Sequence, residues 1–189
     1  MIRALLLLAF SGSSAFAASS AEHMAKRPEL FHPDTGLRIA RQRAPTPDDV
    51  PGAQRIGAQQ VRELAAGGAL LLDVGPALQS RYDDLDGTWL VSGDHRSIPG
   101  AVWLPEVGRG ALEPEMQRYL SANLLRLAPD PGHAIVVFCM ADCWMSWNAV
   151  QRIRSLGYAN VLWFAEGVDG WLDQGWELDA IAPVPVTVD

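Results

Sequence analysis

The sequence predicts an α/β domain in which helices flank a mostly parallel central sheet. Short, continuous apolar runs occupy residues 69–74, 134–138 and 161–164, and their length and composition are typical of strands buried on both faces. Patterns typical of helices alternate with these runs, and this order favours a parallel sheet between two layers of helices. Such sheets bind ligands at the carboxyl ends of their strands, so residues just after each run are candidate site residues.

Residues 1–17 have the pattern of a secretory signal peptide. Arg3 precedes an apolar run at residues 4–10, and Ala15 and Ala17 match the small-x-small cleavage pattern. This run is shorter than the roughly 20 residues that span a bilayer, so no membrane span is expected after cleavage. In a Gram-negative host the mature chain would be periplasmic, and that compartment is oxidising.

The next segment, residues 18–55, is predicted to be an extended strap that crosses the domain. Three prolines between residues 43 and 52 exclude a regular helix there. Leu37 and Ile39 are the candidate anchors of this strap. The remaining boundaries are a domain at 56–182 and a C-terminal tail at 183–189.

Within the domain, short connections and one long loop join the predicted elements. The helices are expected at 58–66, 113–127, 145–156 and 168–174. The strands are expected at 69–74, 101–104, 134–138 and 161–164. Gly67, Gly68 and Gly157 are placed to end two of the helices. The loop at 75–97 is longer than a compact fold needs, so we expect it to be functional.

Composition and charge exclude two classes of partner. The 189 residues include 22 acidic and 15 basic side chains, which gives a formal net charge of −7. A sequence-independent nucleic-acid binder needs a basic face, so no nucleic acid is expected as a partner. Electrostatic attraction to an anionic membrane is excluded on the same ground.

The chemistry is predicted to lie at Cys139 and Cys143, the only cysteines of the chain. Cys139 follows the strand at 134–138 and precedes a helix. Backbone N–H groups of the turn and the positive end of the helix dipole would stabilise a thiolate or a persulfide anion there. Cys143 is four residues further on, within reach of a disulfide with Cys139. Between and after them lie the other residues of the predicted active-site loop, Met140, Ala141, Asp142, Trp144, Met145 and Ser146.

Four interpretations of the cysteine pair are open at this point. In the first, the pair is a reactive centre, in which Cys139 takes a sulfur or an oxidant and Cys143 displaces it. In the second, the pair is a structural disulfide, although so short a loop contributes little to stability. In the third, the pair binds a metal together with His95 or His133. In the fourth, the two cysteines are inert buried thiols. We expect the reactive centre, with no metal and no cofactor.

Residues outside the loop are predicted to support it. They are Asp73, Arg81, His95, Arg96, Arg109 and Trp147. Asp73 either has a functional role, in positioning the loop or handling protons, or it forms an N-terminal cap or a hydrogen bond to a turn. His95 is an acid or base, or an exposed loop residue. Two roles are open for the arginines: one of the three supplies a cation to the site, or all three are solvated surface residues.

Aromatic and hydroxyl side chains near the loop are given separate roles. Trp144 lies inside the loop and is expected to line an apolar pocket. Trp103 and Trp147 are expected in the core. Ser146 is expected to cap the helix that follows the loop.

Four segments in register resemble the rhodanese-like sulfurtransferase domains. They are LLDV (71–74), SIPGAVWLP (97–105), VVFC (136–139) and RSLGYANVLWFAEGVDGW (154–171). The resemblance covers residues 56 to about 178. It implies a rhodanese-like three-layer sandwich, with Cys139 as the active cysteine delivered by its strand.

The loop after Cys139 departs from the family pattern. It contains neither the glycine nor the arginine that the family carries there, and it is one residue longer by its distance to Gly157. Asp142 adds a negative charge. We therefore expect neither ordinary thiosulfate sulfurtransferase activity nor the phosphatase activity of related loops, which need an arginine to bind phosphate.

A closer resemblance is to periplasmic rhodanese-like proteins associated with PQQ-dependent catabolism and named for a CXXCW motif. The segments that carry it are RIARQRAP (38–45), RYDDLDGTWLVS (81–92), VWLPEVGRG (102–110) and CMADCWMSWNA (139–149). It implies a small sulfur donor or a protein thiol as substrate. It also implies an accessory role beside a PQQ-dependent alcohol dehydrogenase or its cytochrome c. The rival expectation is an inactive binding module with a structural disulfide, which docks such a partner through the strap and the loop at 81–89.

Overall fold

The computed structural model of the chain describes residues 19–77, 81–91 and 93–187. The predicted signal peptide at residues 1–17 lies outside the described residues. The strands are β1 (Gln54–Arg55), β2 (Leu70–Asp73), β3 (His95–Ser97), β4 (Val102–Trp103), β5 (Ile135–Phe138), β6 (Val161–Phe164) and β7 (Asp179–Ile181). The α-helices are α1 (Ser20–Lys26), α2 (Ala58–Ala66), α3 (Pro114–Leu127), α4 (Trp144–Ser155) and α5 (Gly167–Leu172).

The central sheet has the predicted parallel arrangement. Five of the described strands form it in the order β1-β6-β5-β2-β4, and every neighbouring pair is parallel. Strand β5 lies in the middle, between β6 and β2, and all four of its residues are buried. The predicted α/β class with a mostly parallel sheet is confirmed.

Helices cover both faces of the sheet, because alternate strand residues point to opposite sides. On one face Val137 packs in an apolar cluster with Leu124 of α3 and Trp147 of α4. On the other face Phe138 packs in a second cluster with Val61 of α2 and Trp171 of α5. The protein is therefore the three-layer sandwich that the sequence predicts.

The predicted element boundaries hold best where apolar runs or glycines mark them. Helix α2 and strand β6 have the predicted ends, and α4 begins one residue earlier than expected. Strand β1 was not predicted, since its two residues are polar and lie at the edge of the sheet. Strand β3 lies within the predicted loop at 75–97, where it pairs with β7 in a small antiparallel sheet.

The strap is less extended than predicted. Helix α1 begins after Ser19, whose side chain accepts a hydrogen bond from the Glu22 amide while the Glu22 carboxylate accepts one from the Ser19 amide. This capping box is visible in the sequence and could have indicated the helix. Leu37 is buried as predicted, but Ile39 is 42% exposed, so its role as an anchor is wrong. Arg38 takes the inward position between them.

The described part of the predicted C-terminal tail, residues 183–187, docks on the domain. The Val184 amide donates to the Trp103 carbonyl, and the Val186 amide donates to the Gly87 carbonyl. These bonds extend the edge of the sheet at β4 and fix the loop that contains Gly87.

Candidate active site

Cys139 and Cys143 form a disulfide at the carboxyl end of β5. Cys139 follows the last residue of the strand, and Cys143 is the residue that precedes α4. Their Cα atoms are 6.5 Å apart, so the prediction that the second sulfur is within bonding reach of the first is confirmed. In this state neither sulfur is an inert thiol or a metal ligand.

A tight reversal of the chain brings the two cysteines together. Asp142, at the tip of the loop, is exposed and has φ +55°, in the left-handed region that aspartate tolerates better than most residues. Met140 and Ala141 are half-buried. The carboxylate of Asp142 thus faces solvent, while the sulfurs lie on the protein side of the turn.

Both sulfurs are shielded from solvent. Cys139 is 2% exposed and Cys143 is 3% exposed. A sulfur donor or a reductant therefore cannot contact either one in this conformation. Something that covers the loop must move before the pair can react.

The strap covers the Cys143 side of the loop. Arg43 and Cys143 form an antiparallel bridge. On either side of it the Ala44 amide donates to the Asp142 carbonyl at 2.9 Å, and the Trp144 amide donates to the Gln42 carbonyl at 2.9 Å. Residues 42–44 thus pair with the cysteine loop as a short piece of sheet.

Two amides of the loop are already used in the disulfide form. The Ala141 amide donates to Asp169 Oδ2 at 2.8 Å, and the Trp144 amide donates to the strap. The polar contact described for Cys139 Sγ is the Met140 carbonyl, at 3.8 Å. Stabilisation of a thiolate by these amides therefore requires the loop to change after reduction, and it stays a prediction for the reduced chain.

Trp144 holds the strap and does not line an open pocket, so that prediction is wrong. Its side chain is fully buried, and its Nε1 donates to the Pro45 carbonyl at 3.2 Å. The Arg38 guanidinium lies 4.4 Å from the centre of its ring, and the ring of Phe31 meets it edge-on at 5.5 Å. The expected core positions of Trp103 and Trp147 are confirmed, since both are buried.

Ser146 does not cap α4, and this prediction is also wrong. Its Oγ donates to the Cys143 carbonyl at 3.1 Å and accepts from Trp163 Nε1 at 3.0 Å. Ser146 is the third residue of α4, and the bond from Trp163 of β6 holds its hydroxyl against the sheet. Met145 is also buried, and its carbonyl packs so closely on Gly108 that a Cβ there would lie 2.3 Å from it.

Asp73 and His95 form a polar cluster of their own. Asp73 is buried, and its Oδ2 bonds His95 Nε2 at 2.8 Å and accepts from Ser97 Oγ at 2.7 Å. The imidazole of His95 stacks on Trp103 with ring centres 3.7 Å apart. The hydrogen bonds described for the Asp73 carboxylate go to this cluster and to the Gly75 amide, not to the cysteine loop.

Two of the three candidate arginines have described partners outside the cysteine loop, and the third is exposed. Arg81 is exposed, Arg96 donates to the Leu178 carbonyl, and Arg109 pairs with Glu106 at 2.5 Å. Of the contacts described for Arg96 and Arg109, none is to the cysteine loop.

The cation that contacts the active-site helix is Arg38, which sequence reasoning did not single out. Arg38 is 4% exposed, and burial lowers the pKa of its guanidinium. It donates to the carbonyls of Ala40 and Arg41, so it holds the strap in a turn above Trp144. The segment at 38–45 was noted for its resemblance, but nothing in its pattern indicated a buried arginine.

Asn148 is the second residue that sequence reasoning missed. It is fully buried in α4, and its Oδ1 accepts from the Arg38 amide at 2.8 Å. Its Nδ2 donates to the carbonyls of Arg38 and Gly108, both at 2.8 Å. One amide side chain thus joins the active-site helix to the strap and to the loop after β4.

Neither a metal site nor a membrane helix is found in the part of the chain that the structure describes. No group of three or more His, Cys, Asp or Glu side chains there is arranged to hold a metal ion. No helix there has the length and apolar character that crossing a membrane requires.

Comparison with known proteins places the fold. The family model described as Rhodanese-like domain matches residues 57–174, and no curated protein matches the chain. A thiosulfate sulfurtransferase from Pseudomonas aeruginosa is 21% identical with a TM-score of 0.48, over 72% of this chain and 22% of that one. The chain thus spans less than a quarter of that enzyme.

Two smaller sulfurtransferase structures are also similar. A polysulfide-sulfur transferase from Wolinella succinogenes is 15% identical with a TM-score of 0.46, over 84% of this chain and 88% of that one. A human single-domain sulfurtransferase is 27% identical with a TM-score of 0.41, over 65% of this chain and 98% of that one. The match to the family model, which covers more than half of the chain, carries the assignment.

Proposed function

We propose, because the chain belongs to the rhodanese-like domain family, that Cys139 and Cys143 form a redox-active pair for sulfane-sulfur transfer or thiol–disulfide exchange. The observation that carries this proposal is the disulfide between the residue that follows the central strand and the residue that precedes α4. In parallel α/β sheets, ligands bind at the carboxyl ends of the strands, where this disulfide lies. A cysteine pair there is suited to taking up a sulfur and releasing it.

The reaction begins with the reduced pair. The Cys139 thiolate attacks the outer sulfur of a persulfide donor, a Cys139 persulfide forms, and the donor leaves as a thiol. The Cys143 thiolate then attacks Cys139 Sγ, which forms the disulfide and releases hydrosulfide. The two electrons that reduce the sulfane sulfur come from the cysteine pair, and a protein dithiol returns them by exchange with the disulfide.

The strap controls access to this chemistry. Both sulfurs are covered, so residues 42–45 must leave the loop before a donor or a dithiol can contact them. Thiosulfate is a poor candidate donor, because Asp142 repels a dianion and the loop supplies no arginine to offset that charge. A persulfide or a protein thiol suits the loop better.

The proposed setting is the periplasm, beside a PQQ-dependent alcohol dehydrogenase or its cytochrome c. The signal-like pattern at residues 1–17 supports export, and an oxidising compartment suits a disulfide. The resemblance of residues 38–45, 81–92, 102–110 and 139–149 to the PQQ-associated group supports the partner. In this chain three residues separate the two cysteines, one more than the motif that names that group.

A binding module with a structural disulfide is the second candidate function. The observation that favours it is the burial of both cysteines, at 2% and 3% exposure, beneath a strap that bonds to the loop. In this case the disulfide would fix the loop as a platform for the strap. The dehydrogenase or the cytochrome would then bind without any sulfur chemistry.

Intact mass measurements on two variants separate these candidates. The chain without residues 1–17 is reduced, freed of reductant and exposed to a persulfide donor. Cys143→Ser should gain the mass of one sulfur atom, because the persulfide on Cys139 has no second thiol to displace it. Cys139→Ser should gain none, and the wild-type chain should return to its disulfide mass with release of hydrosulfide.

Circular dichroism of each variant is the control for folding. Equal labelling of the two folded variants would contradict the assigned roles. A folded, reduced wild-type chain that neither takes up sulfur nor releases hydrosulfide would favour the binding module.

A further inference from the structure

Two segments that the sulfur chemistry leaves unused enclose a cavity of about 350 Å³. One is the loop that carries Tyr82 and Trp89. The other runs from Glu106, after β4, to Met116 in the first turn of α3. Neither cysteine lines this cavity, so it is distinct from the disulfide site.

The loop at 82–89 is fixed in place and forms a firm wall. Tyr82 and Trp89 form an antiparallel bridge, and Trp89 Nε1 donates to the Val184 carbonyl at 3.0 Å. Gly87 has φ +73°, and a Cβ there would lie 1.6 Å from the Val186 carbonyl oxygen. Glycine is therefore required for this close contact, which holds the loop against residues 183–187.

The same wall presents aromatic surface to the cavity. The rings of Tyr82 and Trp89 meet edge-on with centres 5.3 Å apart. Leu112 and Met116 add apolar surface to the lining. Aromatic faces of this kind attract cations, because the ring quadrupole is negative on its face.

Carboxylates form the polar part of the lining. The Glu106 side chain is only 6% exposed, and its Oε2 accepts from Arg109 Nε at 2.5 Å. Its Oε1 is buried and has no hydrogen-bond partner among the residues described. A buried carboxylate oxygen without a donor is unfavourable, and a ligand that donates to it would remove that cost. Glu106 also has φ +66°, in the left-handed region that residues other than glycine seldom adopt.

The second carboxylate is held opposite the aromatic wall. Glu115 Oε2 accepts from the Tyr82 hydroxyl at 2.5 Å. Burial and this carboxylate raise the pKa of Tyr82 to about 12, so the phenol stays a donor at neutral pH. Glu113 also lines the cavity.

The balance of charge in the cavity is negative. Three carboxylates, Glu106, Glu113 and Glu115, are opposed in the lining by one cation, Arg109. Asp84 and Arg118 both act electrostatically on Tyr82, and their opposite charges offset each other. Among the described residues no set of three His, Cys, Asp or Glu side chains is arranged for a metal ion, so a compact metal site does not account for the carboxylates.

We infer that this cavity binds an organic cation, a primary alkylammonium group with a short apolar stem. Its N–H donors bond Glu106 Oε1 and Glu115, and the stem lies against Tyr82, Trp89 and Met116. The ion comes either from a free amine or from a lysine side chain of a protein partner. The inference does not depend on the proposed sulfur chemistry.

Calorimetric titration of the folded chain with butylammonium chloride tests the inference. We expect saturable binding, and at least tenfold weaker binding of 1-butanol, which has the same stem without the charge. Glu106→Gln and Glu115→Gln should each weaken butylammonium binding at least tenfold. Glu63→Gln, an exposed carboxylate on α2, is the matched control and should bind as the wild type does.

Glu115→Gln keeps the test decisive if Glu106→Gln does not fold, since Glu115 is less buried. A shift of the Trp89 Nε1–H signal in the NMR spectrum on titration should locate the ligand. Equal binding of butanol, unchanged binding by a folded Glu115→Gln, or no binding to the folded wild type would each overturn the inference.

A second titration with N-acetyl-lysine methylamide distinguishes the two sources. Tighter binding of this compound than of butylammonium would support a lysine side chain of a protein partner. Tighter binding of butylammonium would support a free amine. Binding of neither compound would overturn the inference.

Discussion

At the scale of single residues, Asn148 connects the parts of the site. Its one side chain satisfies the amide and the carbonyl of Arg38 and the carbonyl of Gly108. The Arg38 amide and the Gly108 carbonyl have no other partner among the contacts described, whereas the Arg38 carbonyl also accepts from Gln42 Nε2 at 2.7 Å. A fully buried amide with this many bonds is a positioning residue for the strap as well as a contributor to stability.

Asn148→Ala should lower the free energy of unfolding by about 3 kcal/mol, because it leaves buried backbone groups without partners. Urea denaturation measured by circular dichroism checks this. Asn160→Ala is the matched control, since Asn160 is exposed and its bond to the Gly132 carbonyl is long, at 3.5 Å. A loss in Asn148→Ala no larger than in Asn160→Ala would contradict the role given to Asn148.

Residue-scale prediction from sequence succeeded where local pattern decides the position. Cys139 was placed correctly because an apolar run ends just before it. Ser146 was misplaced because its partner, Trp163, lies on another strand. Arg38 and Asn148 were missed for the same reason, since they lie 110 positions apart and no local pattern indicates the bond that joins them.

At the scale of elements, the strap is the feature that separates solvent from the disulfide. Its first helix, α1, brings His23 against the edge of the Trp144 ring, with ring centres 5.3 Å apart. Burial and the nearby charge of Arg38 lower the pKa of His23, and Lys26 acts in the same direction. Glu22 and Asp49 act in the opposite direction with smaller effect. The docked strap thus favours the neutral imidazole.

Acid should therefore release the strap. The pKa of His23 is lower when the strap is docked than when it is free, where the ordinary value is about 6.5. The docked state keeps its full advantage above about pH 6.5. It loses this advantage as the pH falls from there through the lower pKa that His23 has in the docked state. The measurement is the rate at which a water-soluble phosphine reduces the disulfide, in the wild type and in His23→Phe. The ratio of the wild-type rate to the variant rate should rise severalfold as the pH is lowered from about 7.5 to about 5.5.

The comparison with His23→Phe removes the pH dependence of the phosphine itself. Phenylalanine keeps a ring against Trp144 but cannot be protonated. His133→Gln, in a loop remote in sequence from the strap, should keep the wild-type profile. Identical profiles for the wild type and His23→Phe would show that His23 does not control the strap.

The hydrophobic pattern of the sequence predicts the strands that are apolar runs. It does not predict the strands that form only because they pair with another segment. Strands β2, β5 and β6 are continuous apolar runs, so the sequence indicates them directly. Strands β1, β3 and β7 are short and mostly solvent-accessible, and they exist because a neighbouring chain segment offers hydrogen bonds. No local signal distinguishes such segments from loops.

At the scale of the whole molecule, a rhodanese-like core carries additions that the core does not need. The core accounts for the sheet and for the position of Cys139. The strap covers the cysteine loop, and the segments at 82–89 and 106–116 enclose the acidic cavity. If both proposals hold, the chain combines a covered sulfur centre with a separate ligand site.

Whether the disulfide is a working redox couple is the central question for the whole chain. A structural disulfide resists the cellular thiol pool and has a reduction potential below about −300 mV. A couple that cycles must be reducible at higher potentials, and the chain must stay folded when it is reduced. The burial of the pair under the strap makes both requirements testable, since reduction needs the strap to move but not the core to unfold.

Equilibration of the folded chain with graded dithiothreitol and glutathione buffers, read by thiol count and circular dichroism, tests this most directly. We expect a reversible midpoint above about −300 mV, with the far-ultraviolet spectrum unchanged on reduction. A midpoint below that value, or reduction that occurs only as the chain unfolds, would contradict this expectation and leave a structural disulfide.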